Sequence, residues 1–408
     1  MTANAAPLWD LSHAGSGAHP ARYAVVAPKL ALIDRILEQQ AVIVEDGRII
    51  EIIDADRVPA SLPARVLQRG ILAPGFVDIH AHGAHGLGVN EGEQAAIVEI
   101  ARIMLNAGVT TWLPTFASAP IDDLAKGLAV LRDVPQRPDT ARMPGAHLEG
   151  PYFAQAQRGA QSAADLRTPD DDSVVGLLEY ADVIAMMSFA PELQGALALT
   201  TRLVEADIVA AAGHSDGDAA HLRAAQDAGL SHVIHIYSGQ SSTRRDGAWR
   251  VAGMLEATLA SDDLTVEMIA DGKHLPVEHM RIAHRALAGR LCLVSDASPG
   301  AGLPDGSEYG MGAVQYIVEG GVGMTHARAS FGGSTTLLPS MLPIAQASLG
   351  LSTPDAIAMV TDIPARAARL SHVGRLERGY LADFTVLSEQ LEVADVATGG
   401  HWVSETPH

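Results

Sequence analysis

The run Ile71-Leu72-Ala73-Pro74-Gly75-Phe76-Val77-Asp78-Ile79-His80-Ala81-His82-Gly83-Ala84-His85-Gly86-Leu87-Gly88 organises this chain. An apolar triplet breaks at Pro74-Gly75, an extended segment resumes at Phe76, and it runs through His80-Ala81-His82 into a glycine-rich loop. Alternate side chains of a strand share a face, so His80 and His82 point the same way. Two imidazoles at the end of a buried strand make a natural start to a metal site. Two polar residues beside a loop would give the same letters, so the pair is judged by its context.

That context is an alternation of helix and strand. Residues 93–107 carry apolar side chains at helical spacing, and Gly108 stands where a C-cap would. Val109 to Leu113 is a strand closed by Pro114. Further strand-like segments occur at Gly145–Leu148, Val183–Phe189, Ile208–Ala212, His232–Tyr237, Thr265–Ala270 and Leu291–Ser295, with helical stretches such as Ala219–Ala228 and Val277–Leu287 between them. Eight such units over roughly 300 residues predict an α/β fold, a (β/α)8 TIM-type barrel.

Both ends of the chain read differently. Residues 1–20 lack any period and are expected to be poorly ordered at the very start. Tyr23 to Val26 is β-like, residues 41–53 form a hairpin about Asp46-Gly47, and Val66 to Leu72 is another strand. Strand patterns return in residues 374–387 and from Thr398 to Val403. Neither end could build a core alone. Residues 1–70 and 375–408 are therefore expected to form one small β-domain, sandwich-like, and residues 71–374 the barrel.

Composition narrows the class. At 48% hydrophobic and 19% charged the chain is globular, and with 4% aromatics its core must be mainly Ala, Val, Leu and Ile. No apolar run is long enough to span a membrane, and residues 1–20 lack the basic head and apolar segment of a secretory signal. The one cysteine, Cys292, excludes an internal disulfide and fits a reducing compartment, so the expected location is cytoplasmic. A net charge of −20 argues against nucleic acid and anionic membrane as partners. Arg244, Arg245 and Arg250 are a local basic exception.

In such a barrel the active site lies at the C-terminal strand ends. There the sequence puts His80 and His82, then Glu149 before Gly150-Pro151, His214 after Gly213, His235 after Ile234, His274 after the seventh strand, and Asp296 after the eighth. A lone histidine at a strand end is usually packed, and a lone aspartate usually caps a helix. Together, four histidines (80, 82, 214 and 235) with Glu149 and Asp296 on one rim suit a divalent metal: zinc, iron, manganese or cobalt. His147 reads as core or as support for the ligands, and His85 as a loop residue.

These pieces carry a resemblance. Pro74 to Gly83, His147-Leu148-Glu149-Gly150-Pro151, Gly213-His214-Ser215, His235-Ile236-Tyr237, Ile269 to His274, Leu293 to Ala297 and the tail Gly379 to Phe384 resemble the amidohydrolase superfamily, and within it the N-acetylglucosamine-6-phosphate deacetylases. The resemblance implies a metal-dependent hydrolase that removes acetate from an N-acetylated amino sugar 6-phosphate. It makes Glu149, His214 and His235 ligands of a main metal, and His80 and His82 those of a second position, giving one or two divalent ions per subunit, with zinc the first expectation. It gives Asp296 the role of general base and acid, puts His274 on the substrate carbonyl, and implies a homodimer. Other amide substrates, or a barrel without catalysis, are the rival readings.

The chain departs from the family at the sugar-phosphate end. Ser238-Gly239 stand where the family has Asn-Ala, Gln161 stands where it often has His, and Arg244, Arg245 and Arg250 offer phosphate ligands at shifted spacing. These six residues are the candidate substrate contacts.

Overall fold

The computed structural model describes residues 8–10 and 21–405. The expectation of poor order at the very start of the chain falls outside them; Trp9–Asp10 forms a short strand against Ala64–Leu67.

Eight strands form one parallel sheet: β1 Phe76–Ala81, β2 Val109–Ala117, β3 Ala146–Glu149, β4 Ile184–Phe189, β5 Val209–Ala212, β6 His232–Val233, β7 Thr265–Met268 and β8 Leu291–Leu293. Each pairs with its sequence neighbour. Beyond the end of β8, Asp296 N–H reaches the His80 carbonyl at 2.8 Å and His82 N–H reaches the Ala297 carbonyl at 2.7 Å. The eighth strand thus closes on the first, and the expected (β/α)8 barrel is formed. The helix after β1, Gln94–Ala107, ends at Gly108 in the left-handed region (φ +120°), a conformation that favours glycine.

The chain ends meet as predicted. Phe384–Leu387 pairs antiparallel with Ile71–Pro74, inside a nine-stranded sheet that also holds the hairpin Ile36–Glu45 and Arg48–Asp54. Phe384, Trp402, Leu72 and Val42 share its core. The change from sheet to barrel falls at Gly75, where an added methyl would meet the Thr110 side chain at 2.1 Å. The expected strand from Thr398 to Val403 is a tight hairpin of Val393–Thr398 and His401–Trp402, because Gly399 and Gly400 both take positive φ.

One element has no counterpart in the sequence expectations. Glu308–Met311, Val314–Glu319, Val322–Thr325 and Phe331–Ser334 form a four-stranded sheet after β8. Its last strand bridges to Ala297, beside Asp296, and so comes to the barrel mouth.

Candidate active site

The two-residue strand period stacks polar side chains inside the barrel. Asp78 and His80 lie on one face of β1, His147 and Glu149 on one face of β3, and Glu267 faces the same interior from β7. All five are buried. Asp78 accepts from Ser295 Oγ at 2.5 Å, and burial pushes its carboxyl up to about 6 against that bond. His147 donates Nδ1–H to the Ile79 carbonyl at 3.1 Å, which leaves Nε2 to accept from Ser188 Oγ at 2.6 Å.

Above this layer the nitrogens converge on Glu149. His214 Nε2 and His235 Nε2 both stand 3.0 Å from Glu149 Oε1, and His82 Nε2 is 3.4 Å from Oε2. His80 Nε2 is 3.8 Å from Glu149 Oε1 and 3.7 Å from Asp296 Oδ1, and His82 Nε2 is 3.4 Å from Asp296 Oδ1. Burial opposes the charge on Glu149, but hydrogen bonds from His214 and His235 hold its carboxyl well below the usual carboxylate range. Burial also opposes ionisation of Asp296, and His82 and His80 override it, so this group too is held low.

The histidine rings are aimed from behind. His80 Nδ1 meets Glu267 Oε2 at 2.8 Å, His82 Nδ1 the Thr115 carbonyl at 3.0 Å, and His214 Nδ1 the Gln157 carbonyl at 2.8 Å. Each bond occupies Nδ1 and turns Nε2 toward the cavity. His80 Nε2 is fully buried and has no hydrogen-bond partner. A buried orphan nitrogen is costly, and it faces two carboxylates. Two donor groups, His80–Glu149–His235 and His80–His82–Asp296, have ligand atoms within 4.8 Å of one another. Imidazole nitrogen and carboxylate oxygen are the donor set of a zinc-type divalent site, so these residues fit a metal.

The surroundings are shaped to leave room. His214 and Asp296 both take left-handed backbones, at φ +44° and +45°. Strained residues of this kind cluster at functional sites. A methyl on Gly239 would come within 2.6 Å of His214 Nδ1. His82, Glu149, Gln161, His214, His235, Ser238, Gly239, His274 and Asp296 line a cavity of about 210 Å³. Met311 and Phe331, from the four-stranded sheet, form its far wall.

The chain matches the amidohydrolase family model over residues 71–403. It belongs to the amidohydrolase family. It is 31% identical to an N-acetylglucosamine-6-phosphate deacetylase of Vibrio furnissii, over 90% of this chain and 91% of that one. It is 28% identical to an N-acetylgalactosamine-6-phosphate deacetylase of Escherichia coli O157:H7, over 90% and 96%. Its structure is similar to that of an N-acetyl-D-glucosamine-6-phosphate deacetylase mutant from Mycobacterium smegmatis in complex with N-acetyl-D-glucosamine-6-phosphate, with a TM-score of 0.86, 27% identity, and coverage of 94% and 100%.

This amidohydrolase gathers most of the residues singled out from its sequence into one place. His80 sits beneath the cavity, and Gln161 binds Glu149 Oε2 through Nε2 at 2.5 Å. The arginines do not join them. Arg244, Arg245 and Arg250 are exposed on a hairpin of Arg244–Asp246 and Trp249–Val251, and Arg244 faces Asp218 at 3.6 Å. Sequence reading missed Glu267, which also meets His232 Nε2 at 3.1 Å and the His235 N–H at 3.2 Å. Its one signal is a charge inside the apolar strand Thr265-Val266-Glu267-Met268. It also missed Asp271, which accepts His274 Nδ1–H at 2.7 Å.

Proposed function

We propose that this amidohydrolase removes acetate from an N-acetylated amino sugar 6-phosphate, N-acetylglucosamine 6-phosphate or a close relative. The supporting observation is that Glu149, His214, His235, His274 and Asp296 line one cavity, in a chain alike along nine-tenths of its length to deacetylases of such sugars. The relatives differ in sugar epimer, so the galactosamine phosphate is the second reading.

Glu149, His214 and His235 would hold the main divalent ion, with His80 and His82 offering a second position. Zinc suits the donor set best. A divalent ion supplies an acidified water and polarises the amide carbonyl. Asp296, ionised at neutral pH, takes a proton from the attacking water and returns it to the leaving nitrogen. With Nδ1–H held by Asp271, His274 stabilises the negative charge that develops on the carbonyl oxygen by donating an Nε2–H to it, which requires a proton on both ring nitrogens. Gln161, Ser238 and Gly239 contact the sugar.

No arginine or lysine is among the described residues lining the cavity. We therefore assign the phosphate to Arg244, Arg245 or Arg250 of a second copy, on a hairpin that also exposes Trp249 at 80%. The exposed Trp249 of that hairpin supports our placing it in a homodimer interface. No helix among the described residues is long and apolar enough to cross a membrane, and with one cysteine we place the enzyme in the cytoplasm. We divide the chain into a β-domain of residues 1–70 and 375–408 and a catalytic barrel of residues 71–374.

The test is release of free amine from a panel of N-acyl substrates. Turnover is expected on N-acetylhexosamine 6-phosphates. Turnover confined to other amides would overturn the substrate assignment.

A further inference from the structure

We propose that Ser334 and Asp271 are positioning residues for this reaction, with Ser334 joining His274 and Asp296 into one rigid unit. The inference rests on the roles given above to those two groups.

Ser334 ends the last strand of the four-stranded sheet and is fully buried. Its two donors serve different partners. The hydroxyl donates to Asp271 Oδ2 at 2.9 Å, the oxygen that also accepts His274 Nδ1–H at 2.7 Å. The backbone N–H donates to the Asp296 carbonyl at 2.7 Å. Asp271 Oδ1 takes the N–H groups of Lys273 and His274 at 2.8 and 2.9 Å. With both oxygens occupied the carboxylate has no freedom to turn, and the His274 ring is fixed with its other nitrogen free for the cavity.

On the Asp296 side the same strand holds a backbone that most residues avoid. Asp296 sits at φ +45°, clamped by its own N–H on the His80 carbonyl at 2.8 Å and by the Ser334 N–H on its carbonyl. Gly333 permits this approach. It lies at φ +78°, and a methyl there would stand 2.8 Å from the Asp296 carbonyl oxygen. A buried hydroxyl and a close glycine thus hold the proton carrier and the carbonyl partner at one spacing. A positioning error of this kind lowers the rate of the chemical step more than it weakens substrate binding.

The experiment compares Ser334→Ala, Ser334→Thr and Asp271→Asn, with Asp296→Asn as reference. Asp296→Asn is expected to lose several orders of magnitude in kcat with metal retained. Near-normal turnover there would sink the catalytic roles themselves, a failure distinct from that of the present inference. Ser334→Ala is expected to lower kcat about tenfold, and Asp271→Asn about a hundredfold, each with KM changed by less than about twofold. Ser334→Thr keeps the hydroxyl and is expected to recover most of the kcat lost in the alanine variant. Asp271→Asn should also remove the low-field proton NMR signal of His274 Nδ1–H. Unchanged kcat in Ser334→Ala, an equal loss in Ser334→Thr, or a loss confined to KM overturns the proposal. Should Ser334→Ala fail to fold, Asp271→Asn decides: the loss in kcat with the lost NMR signal supports the proposal, and retention of either overturns it.

Discussion

His80 Nε2 stands 3.8 Å from Glu149 Oε1, fully buried and bonded to nothing. That separation is too long for a hydrogen bond and suits two ligands of one cation. The expected consequence is a metal-dependent enzyme in which the two residues fail differently. Glu149→Gln should lose bound metal at both positions, because His214, His235 and His82 all face this carboxylate. His80→Asn should lose at most one ion. Metal analysis after dialysis checks this, and equal metal content in both variants would refute the division into two positions.

Metal uptake should release protons. Burial alone would push the His80 ring toward neutrality, but the charge and hydrogen bond of Glu267, with Asp296 and Glu149 nearby, raise it to about 10. Without metal the ring is a cation at neutral pH, and it must lose that proton to ligate. The apparent affinity of the His80 position should therefore rise up to about tenfold per pH unit as pH approaches 10. Calorimetry in buffers of different ionisation enthalpy measures the released proton. A heat independent of buffer would contradict the charge state assigned to His80. Glu267→Gln should lower the pH at which this release occurs.

The hairpin arginines give a third test. Arg244→Ala and Arg245→Ala should raise KM for a phosphorylated sugar, by about tenfold for each charged hydrogen bond lost, and leave KM for the unphosphorylated analogue unchanged. Because the hairpin stands away from its own cavity, dilution below the dimer dissociation range should mimic the substitutions. Equal effects on both substrates would argue against phosphate recognition.

The legible part of this site was the part written at strand ends. His80, His82, Glu149, His214, His235 and Asp296 follow recognisable strands, and strand ends share one rim of a barrel. Glu267 was hidden because its meaning depends on which residues lie behind it: a mid-strand acid is intelligible only beside His80 and His232. Ser334 and Phe331 were hidden because a four-stranded sheet carries them to the mouth, and nothing local in Phe331-Gly332-Gly333-Ser334 states that destination. The arginines are near His235 in sequence but not in space. They begin nine residues after His235, but they flank the hairpin turn Gly247-Ala248, with Gly247 at φ +58°, and the ribbon leads outward.

The buried layer under the site sets the acid limit of the fold. His147 is fully buried, and burial, with the neighbouring His80 charge, pushes its ring down to about 3. Its Nε2 accepts from Ser188 Oγ, so a proton there would break that bond. An unfolded chain offers the same ring near pH 6.5. Between about pH 6.5 and pH 3 the unfolded state therefore binds a proton that the folded state refuses, and stability falls as pH falls. The full effect is on the order of 5 kcal/mol, and about 2 kcal/mol of it should appear between pH 7.5 and pH 5. His147→Gln keeps one donor and one acceptor but cannot titrate. Its unfolding free energy should vary less with pH than that of the wild type, by about that 2 kcal/mol, in denaturant titrations at the two pH values. Parallel pH dependence in both proteins would mean that His147 takes up its proton within the folded state, and that the layer beneath the metal site is wetter than its burial indicates.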